Sequence, residues 1–497
     1  MDVAGYSQRA EACSAELAGA VYRHYAGLAP ELALREIYDR HADLFATAAI
    51  DELRAAVDGR DEPLRSLLRF AAHGRIAAAV CDLESEMARR EARLSVQLPA
   101  DRGAGQRIGF RESAIVQAGE PDGERRAAID AARRLAAREA LAPLAKELHE
   151  RRMALTRELG WPCYRALCEQ ASGVDLLGLG RQAGELLDRT DDVYAAVVAD
   201  PVRATLGVGP GRLRRSDLGR FLRQATSDSL FPSAGLLGSL SAALGQMGLD
   251  LQDGSGIVLD TGRRAGKSPR AFCAPVRVPQ EVYLVVAPLG GREDYAALLH
   301  EAGHALHFAG TGSQLALAQR RLGDPAQGEG FAFLLEGLLD DAGWQQRALG
   351  IEDGDGALAA RARARRLMLL RRHAAKLQYE LELHGEASAQ AQPPAASYAR
   401  HLSRALGVHW PPDTWLTDVD PAMYVADYLR AWAFEARLRE GMRERFGSQW
   451  FADPAAGAML RGLWAAGQRA RAEDVLGELG LTAGLDFAAL ASEFVAS

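Results

Sequence analysis

REDYAALLHEAGHALHFA, residues 292–309, is a run of good helix formers, and Gly310 and Gly312 behind it supply a stop. Inside it stands His300-Glu301-Ala302-Gly303-His304. On a helix, positions i and i+4 share a face, so two imidazoles at this spacing can converge on one metal ion. Glu301 sits beside them and is placed to take a proton from a water polarised by that ion. Histidine is scarce in this chain, 11 in 497 residues. Gly303 adds to the pattern: a glycine inside a helix costs roughly 1 kcal/mol against alanine and is tolerated where another backbone or a ligand packs closely.

A catalytic zinc takes three protein ligands and keeps one position open. The third ligand is expected downstream, and QGEGFAFLLEGLLDDAGW (327–344) offers Glu329 and Glu336. Seven residues is two helical turns, so both carboxylates fall near one face, and only glycine and apolar residues lie between them. A carboxylate on so apolar a helix is costly to bury unpaired, and a metal accounts for it. Glu329 is the expected ligand. Glu336 is expected one shell out, holding a ligand imidazole by its other nitrogen. His307 reads as a packing residue, and His373, His384, His401 and His409 lack ligand spacing.

Outward from this core the chain reads as mostly α. Residues 255–289, with GIVLD and AFCAPVRVPQEVYLVVAP, are rich in Val, Tyr and Phe and predict a small β-sheet just before the H-E-x-x-H helix. Pro275 and Pro279 push that segment towards a sheet edge, where an extended substrate can pair with it. Beyond Gly291 helices resume. In LMLLRRHAAKLQYELEL, Leu370, Ala374, Leu377 and Leu381 form one apolar face. Residues 1–250, dominated by Ala, Leu, Arg and Glu, read as helical throughout. The expectation is one helical unit over 1–497, with an N-terminal helical part (1–250) and a catalytic part (251–497) that carries the sheet and the metal site.

The bulk numbers fit an ordinary globular chain: 48% hydrophobic, 25% charged, net charge −7. An acidic balance argues against nucleic acid as a partner. No apolar run has the length of a membrane span or a signal peptide, which argues against a membrane partner. Five cysteines, an odd number without C-x-x-C, suit buried free thiols in a reducing, cytoplasmic setting.

HEAGHALHFAG (300–310) followed by EGFAFLLEGLLDDAGW (329–344) resembles the metal core of the thimet oligopeptidase and oligoendopeptidase F family of zinc peptidases. LDTGRRAGKSPRAFCAPVRVPQEVYLVVAP (259–288) resembles the strand pair before that family's motif, and DPAMYVADYLRAWAFEARL (420–438) its tyrosine-bearing C-terminal helix. The resemblance is specific over roughly 257–344 and 415–440, and compositional elsewhere. It implies a large helical, two-lobed metallopeptidase fold with the active site in a deep substrate channel, zinc (Zn2+) as the cofactor, and short peptides as substrates. It matches Glu329 and Glu336 to the family's two glutamates. Tyr424 and Tyr428 match its tyrosines and are expected over the metal as donors to the carbonyl oxygen. Ala431 stands where another tyrosine is expected, and Val419-Asp420 where a histidine often precedes.

The implied chemistry is metal-assisted peptide hydrolysis with Glu301 as general base. Two alternatives use the same residues. A helical H-E-x-x-H metallocarboxypeptidase needs a cation for the substrate's free carboxylate, and Arg430 is the candidate. A catalytically silent helical metal-binding protein needs a closed four-ligand site, and no further His or Cys stands at a suitable spacing.

Overall fold

The computed structural model describes residues 2–58, 61–98, 106–251, 256–386, 393–481 and 484–495. The protein is mostly helical. Local chemistry sets many of the boundaries. Asp122, Asp175, Asp324, Asp341 and Asp453 each cap a helix by accepting from a backbone N–H in its first turn. The 125–159 stretch divides into Gly123–Ala140 and Ala142–Glu158. Pro143 occupies the opening turn of the second helix, where its missing N–H costs least.

One buried apolar cluster runs from Tyr6 to Phe494 and draws on both halves of the chain. The long helices Leu176–Leu206 and Ala357–His384 pack along each other and join the halves. Among the described residues no helix is long and apolar enough to cross a membrane.

Among the described residues two sheets are present where the sequence predicts one. Within the supposedly all-helical 1–250, β1 (Ser95–Gln97) pairs antiparallel with β2 (Arg107–Gly109). Val96 and Ile108 are buried, with Ile108 in a small separate cluster with Leu98 and Ile129. Strands of three residues are too short for alternation to register, which is why composition hid them. The second sheet lies where expected. It comprises β3 (Ile257–Asp260), β4 (Phe272–Arg277) and β5 (Glu281–Val285), in the order β3-β5-β4. β5 is central and almost wholly apolar, parallel to β3 and antiparallel to β4. Pro275 therefore sits on an edge strand, at a register irregularity, where its missing N–H breaks no ladder.

Gly290 and Gly291, both with φ of 93°, turn the chain from this sheet into the helix Arg292–Gly310. Asp294 holds the turn by accepting from the N–H groups of Leu289 and Gly290, each at 2.7 Å. That helix packs against β4 and β5 on one side and the helix Pro325–Glu336 on another. Two glycines set the second approach. A Cβ on Gly303 would lie 2.6 Å from Ala332 Cα, and one on Gly330 would lie 2.3 Å from the Phe434 ring. Pro325–Glu336 is thus pressed between the H-E-x-x-H helix and the helix Val425–Phe446.

Candidate metal centre

These contacts bring His300, His304 and Glu329 together. Their ligand atoms all lie within 4.8 Å of one another. Glu329 Oε2 is 3.4 Å from His300 Nε2 and 3.7 Å from His304 Nε2. Ligands at about 2.0–2.1 Å from a tetrahedral ion are separated by about 3.3 Å, close to the two carboxylate–imidazole distances. Glu329 Oε2 is buried and, among the described residues, meets no hydrogen-bond criterion, its neighbours being the two Nε2 atoms, which leaves an acceptor free for a cation. The donor set fits a divalent ion, and the cluster can hold one.

The surroundings hold each ligand in place. Glu336 Oε2 lies 3.1 Å from His300 Nδ1, and its other oxygen is 3.5 Å from Arg365. A proton on Nδ1 frees Nε2 to face the cluster. Burial alone would raise the Glu336 carboxyl, but His300 and Arg365 bring it down to about 2. Burial likewise opposes ionisation of Glu329, and the two imidazoles hold it well below the usual carboxylate range.

The Glu301 carboxylate accepts the Cys273 N–H at 2.8 Å. Cys273 lies on β4, so the outer edge of the sheet fixes the catalytic candidate. The same edge is less open to a substrate strand than the sequence suggests. Cys273 N–H is taken by Glu301, Pro275 has no N–H, and Arg321 donates to the Pro275 and Val276 carbonyls.

The tyrosines divide. Tyr424 is the residue before the helix Val425–Phe446, and Tyr428 stands one turn on, with ring centroids 5.0 Å apart. Both were expected to serve as carbonyl-oxygen donors. The Tyr424 hydroxyl instead donates to Glu329 Oε1 at 2.7 Å and supports the ligand carboxylate. The Tyr428 hydroxyl has no hydrogen-bond partner among the described residues and lines the cavity beside His300 and Glu301. Ala422 and Met423, just before Tyr424, hold φ of 55° and 54°, a left-handed conformation costly for residues with a Cβ. Ala422 N–H donates to the Tyr164 hydroxyl at 3.2 Å, which helps to hold the bend. Asp420 is turned onto Lys376 at 2.9 Å.

Two cavities meet at Glu301. One, of about 380 Å³, is walled by His300, Glu336, His373, Tyr428, Phe333 and Trp432. The other, of about 340 Å³, is walled by His304, Tyr424, Cys273, Arg69, Arg321 and Gly328. Sequence reasoning missed His373 and Arg69. His373 is a lone histidine on a long helix, with Nδ1 2.8 Å from the Leu369 carbonyl and its ring edge-on to Tyr428. Arg69 comes from the N-terminal half, and no local pattern ties it to the site.

Other candidates fall outside. Arg430 is buried away from both cavities. It forms a paired contact with Asp324 at 2.7 Å per arm and also binds Asp427 and Glu473. It clamps the cap of the Glu329 helix and is not available to a substrate carboxylate. His307 is fully buried against Phe331 and Phe308, and burial pushes its pKa down to about 3. The five cysteines are unpaired, four buried and Cys273 half-buried. The sequence matches no protein-family profile and no curated protein.

Proposed function

We propose that this protein is a zinc-dependent peptidase that hydrolyses short unstructured peptides, of the thimet oligopeptidase and oligoendopeptidase F kind. The observation that carries the reading is the unpartnered, buried Glu329 Oε2 facing the Nε2 atoms of His300 and His304, with Glu301 alongside. Two imidazoles and one carboxylate are the ligand set of a catalytic zinc with an open position. A closed four-ligand site, which a silent metal-binding protein would need, finds no fourth His, Cys, Asp or Glu among the described residues.

Zinc, when bound, supplies Lewis acidity to the scissile carbonyl and to the attacking water. The chain's own groups do the rest. Glu301 takes the proton from that water and returns it to the leaving amine. Its hydrogen bond from Cys273 keeps the carboxylate fixed on the cavity side of the helix. Tyr428, with an uncommitted hydroxyl, donates to the carbonyl oxygen as charge builds there. Tyr424 and Glu336 act through the ligands they hold.

A cavity on each side of Glu301 suits an extended peptide that continues past the scissile bond in both directions. Arg430, committed to Asp324 and Glu473, is not the cation that would grip a substrate's C-terminal carboxylate. The two-lobed body and deep channel belong to the same proposal and imply that folded proteins are spared. The test is mass analysis of products from a peptide pool, with free and amidated C-termini, treated with the zinc-loaded protein and with Glu301→Gln. Internal fragments from both termini, absent with Glu301→Gln, support the reading. Release of single C-terminal residues from free-ended peptides alone overturns it in favour of a carboxypeptidase.

A further inference from the structure

A third cavity, of about 370 Å³, adjoins the one beside His304 and shares Arg69, Pro325 and Tyr424 with it. Most of its remaining wall comes from the N-terminal half. Leu17 lies on the helix Val3–Tyr25, Tyr38 and Phe45 follow on short helices, and Phe70, His73 and Ala77 lie on the helix Glu62–Arg93. Tyr38 packs edge-on to Phe45 with centroids 5.5 Å apart, and Phe45 against Phe70 at 5.4 Å. The result is a rigid aromatic box whose interior the chain's own side chains leave open. Its size is near the low end for ligand pockets, roughly 300–1,000 Å³, and the cavity has room for one large side chain.

The polar groups of the wall are engaged by the chain itself. Arg69 donates to the Leu322 and Gly323 carbonyls, and Asp427 is 3.0 Å from Arg430. Burial keeps His73 neutral, with its pKa pushed down to about 4. An apolar guest therefore meets aromatic carbon over much of the wall, with the Arg69 guanidinium on the side shared with the cavity beside His304. Tyr424 forms part of the wall and also holds Glu329, so a guest in the box is one side chain's reach from the ligand carboxylate.

We propose that this aromatic box is a specificity subsite that takes an aromatic or large aliphatic side chain of the peptide, on the His304 side of the metal centre. The inference rests on the peptidase reading for the identity of the ligand. It goes beyond that reading by assigning the N-terminal helices a role in substrate choice. Ala77 lines this cavity and neither of the two at the metal centre, so Ala77→Phe fills the box from the helix Glu62–Arg93.

The probe is a short unstructured peptide of alanines and serines with one central phenylalanine, set against the same peptide with alanine or lysine there. Affinities are measured in the zinc-loaded Glu301→Gln background, where nothing is consumed. The phenylalanine peptide should bind at least about tenfold more tightly than the alanine peptide, a modest return for burying one large side chain. Ala77→Phe should bring the two to near parity while leaving the alanine peptide's affinity as it was. Equal affinities at the outset, preference for lysine, or a phenylalanine preference that survives Ala77→Phe would each overturn the subsite. Should Ala77→Phe not fold, Phe70→Ala widens the same wall and should shift preference from phenylalanine towards tryptophan; an unshifted preference overturns the subsite. Cleavage by the parent protein is scored separately. Tenfold discrimination without cleavage would sink the hydrolytic reading and leave the subsite standing.

Discussion

Removing the Tyr424 hydroxyl separates two roles that the sequence could not distinguish. In Tyr424→Phe the ring stays in place and only the donor to Glu329 Oε1, at 2.7 Å, is lost. A hydrogen bond to a buried charged acceptor is worth roughly 1.5–3 kcal/mol. At ~1.4 kcal/mol per tenfold, that is about 10- to 100-fold in whatever equilibrium depends on the carboxylate. Loss of an outer partner of a metal ligand weakens metal binding by about the same factor. The expected result is therefore a zinc Kd raised about 10- to 100-fold, measured by competition with a chelator of known affinity, and a kcat at saturating zinc within a few-fold of the parent. Unchanged zinc affinity with kcat reduced by about 10²–10³ would refute the reasoning. It would make Tyr424 the direct donor to the substrate oxygen, as the family resemblance alone suggests.

Tyr428→Phe should behave in the opposite way, with kcat lowered by about 10²–10³, KM little changed and zinc affinity intact; parental kcat on a good peptide would place the donor elsewhere. Gly303→Ala should destabilise the protein by about 1–3 kcal/mol in denaturant melts despite alanine's better helix propensity, because its Cβ would meet the backbone of Ala332 and Phe331; a gain in stability would mean the two helices have room to part. His384 is buried and His73 and His373 are largely so, and desolvation depresses His73, His373 and His384 to about 4, 3 and 3. Their contribution is present above the unfolded value of about 6.5 and is lost as pH falls below it, because the unfolded chain then binds protons that the folded one refuses. Three such groups give a slope of up to ~4 kcal/mol per pH unit between about pH 6 and 4, and stability flat across that window would show that these rings protonate in the native state.

The residues that the sequence made legible are those joined by short-range geometry. H-E-x-x-H spacing, the seven-residue step from Glu329 to Glu336 and the odd glycine at 303 all follow from one helical period, and the structure brings these residues to one place. The edge position of β4 was legible for a similar reason, since proline restricts where its strand can sit. What stayed hidden depends on contacts between distant segments. Tyr424 and Glu329 are 95 residues apart, and nothing local to either assigns the hydroxyl to the carboxylate. Arg430 looked like a helix-surface cation because its partners, Asp324 and Glu473, lie 106 and 43 residues away. The aromatic box is assembled from helices far apart in the sequence, where composition signals helix and nothing about which faces meet. β1 and β2 escaped because three residues carry too little alternation to stand out.

The central claim, a catalytic zinc at His300, His304 and Glu329 with Glu301 as its base, is tested most directly by following peptide cleavage through removal and return of the metal. The purified protein, Glu301→Gln and Glu329→Ala would each be stripped with a chelator, titrated with zinc and assayed on the same peptide pool by mass spectrometry. The account predicts that the parent loses cleavage on stripping and regains it at one zinc per chain. Glu301→Gln should bind zinc as the parent does and cleave nothing, while Glu329→Ala should fail to hold zinc at the same concentration. Cleavage that persists in the stripped parent, or in zinc-loaded Glu301→Gln, would contradict it.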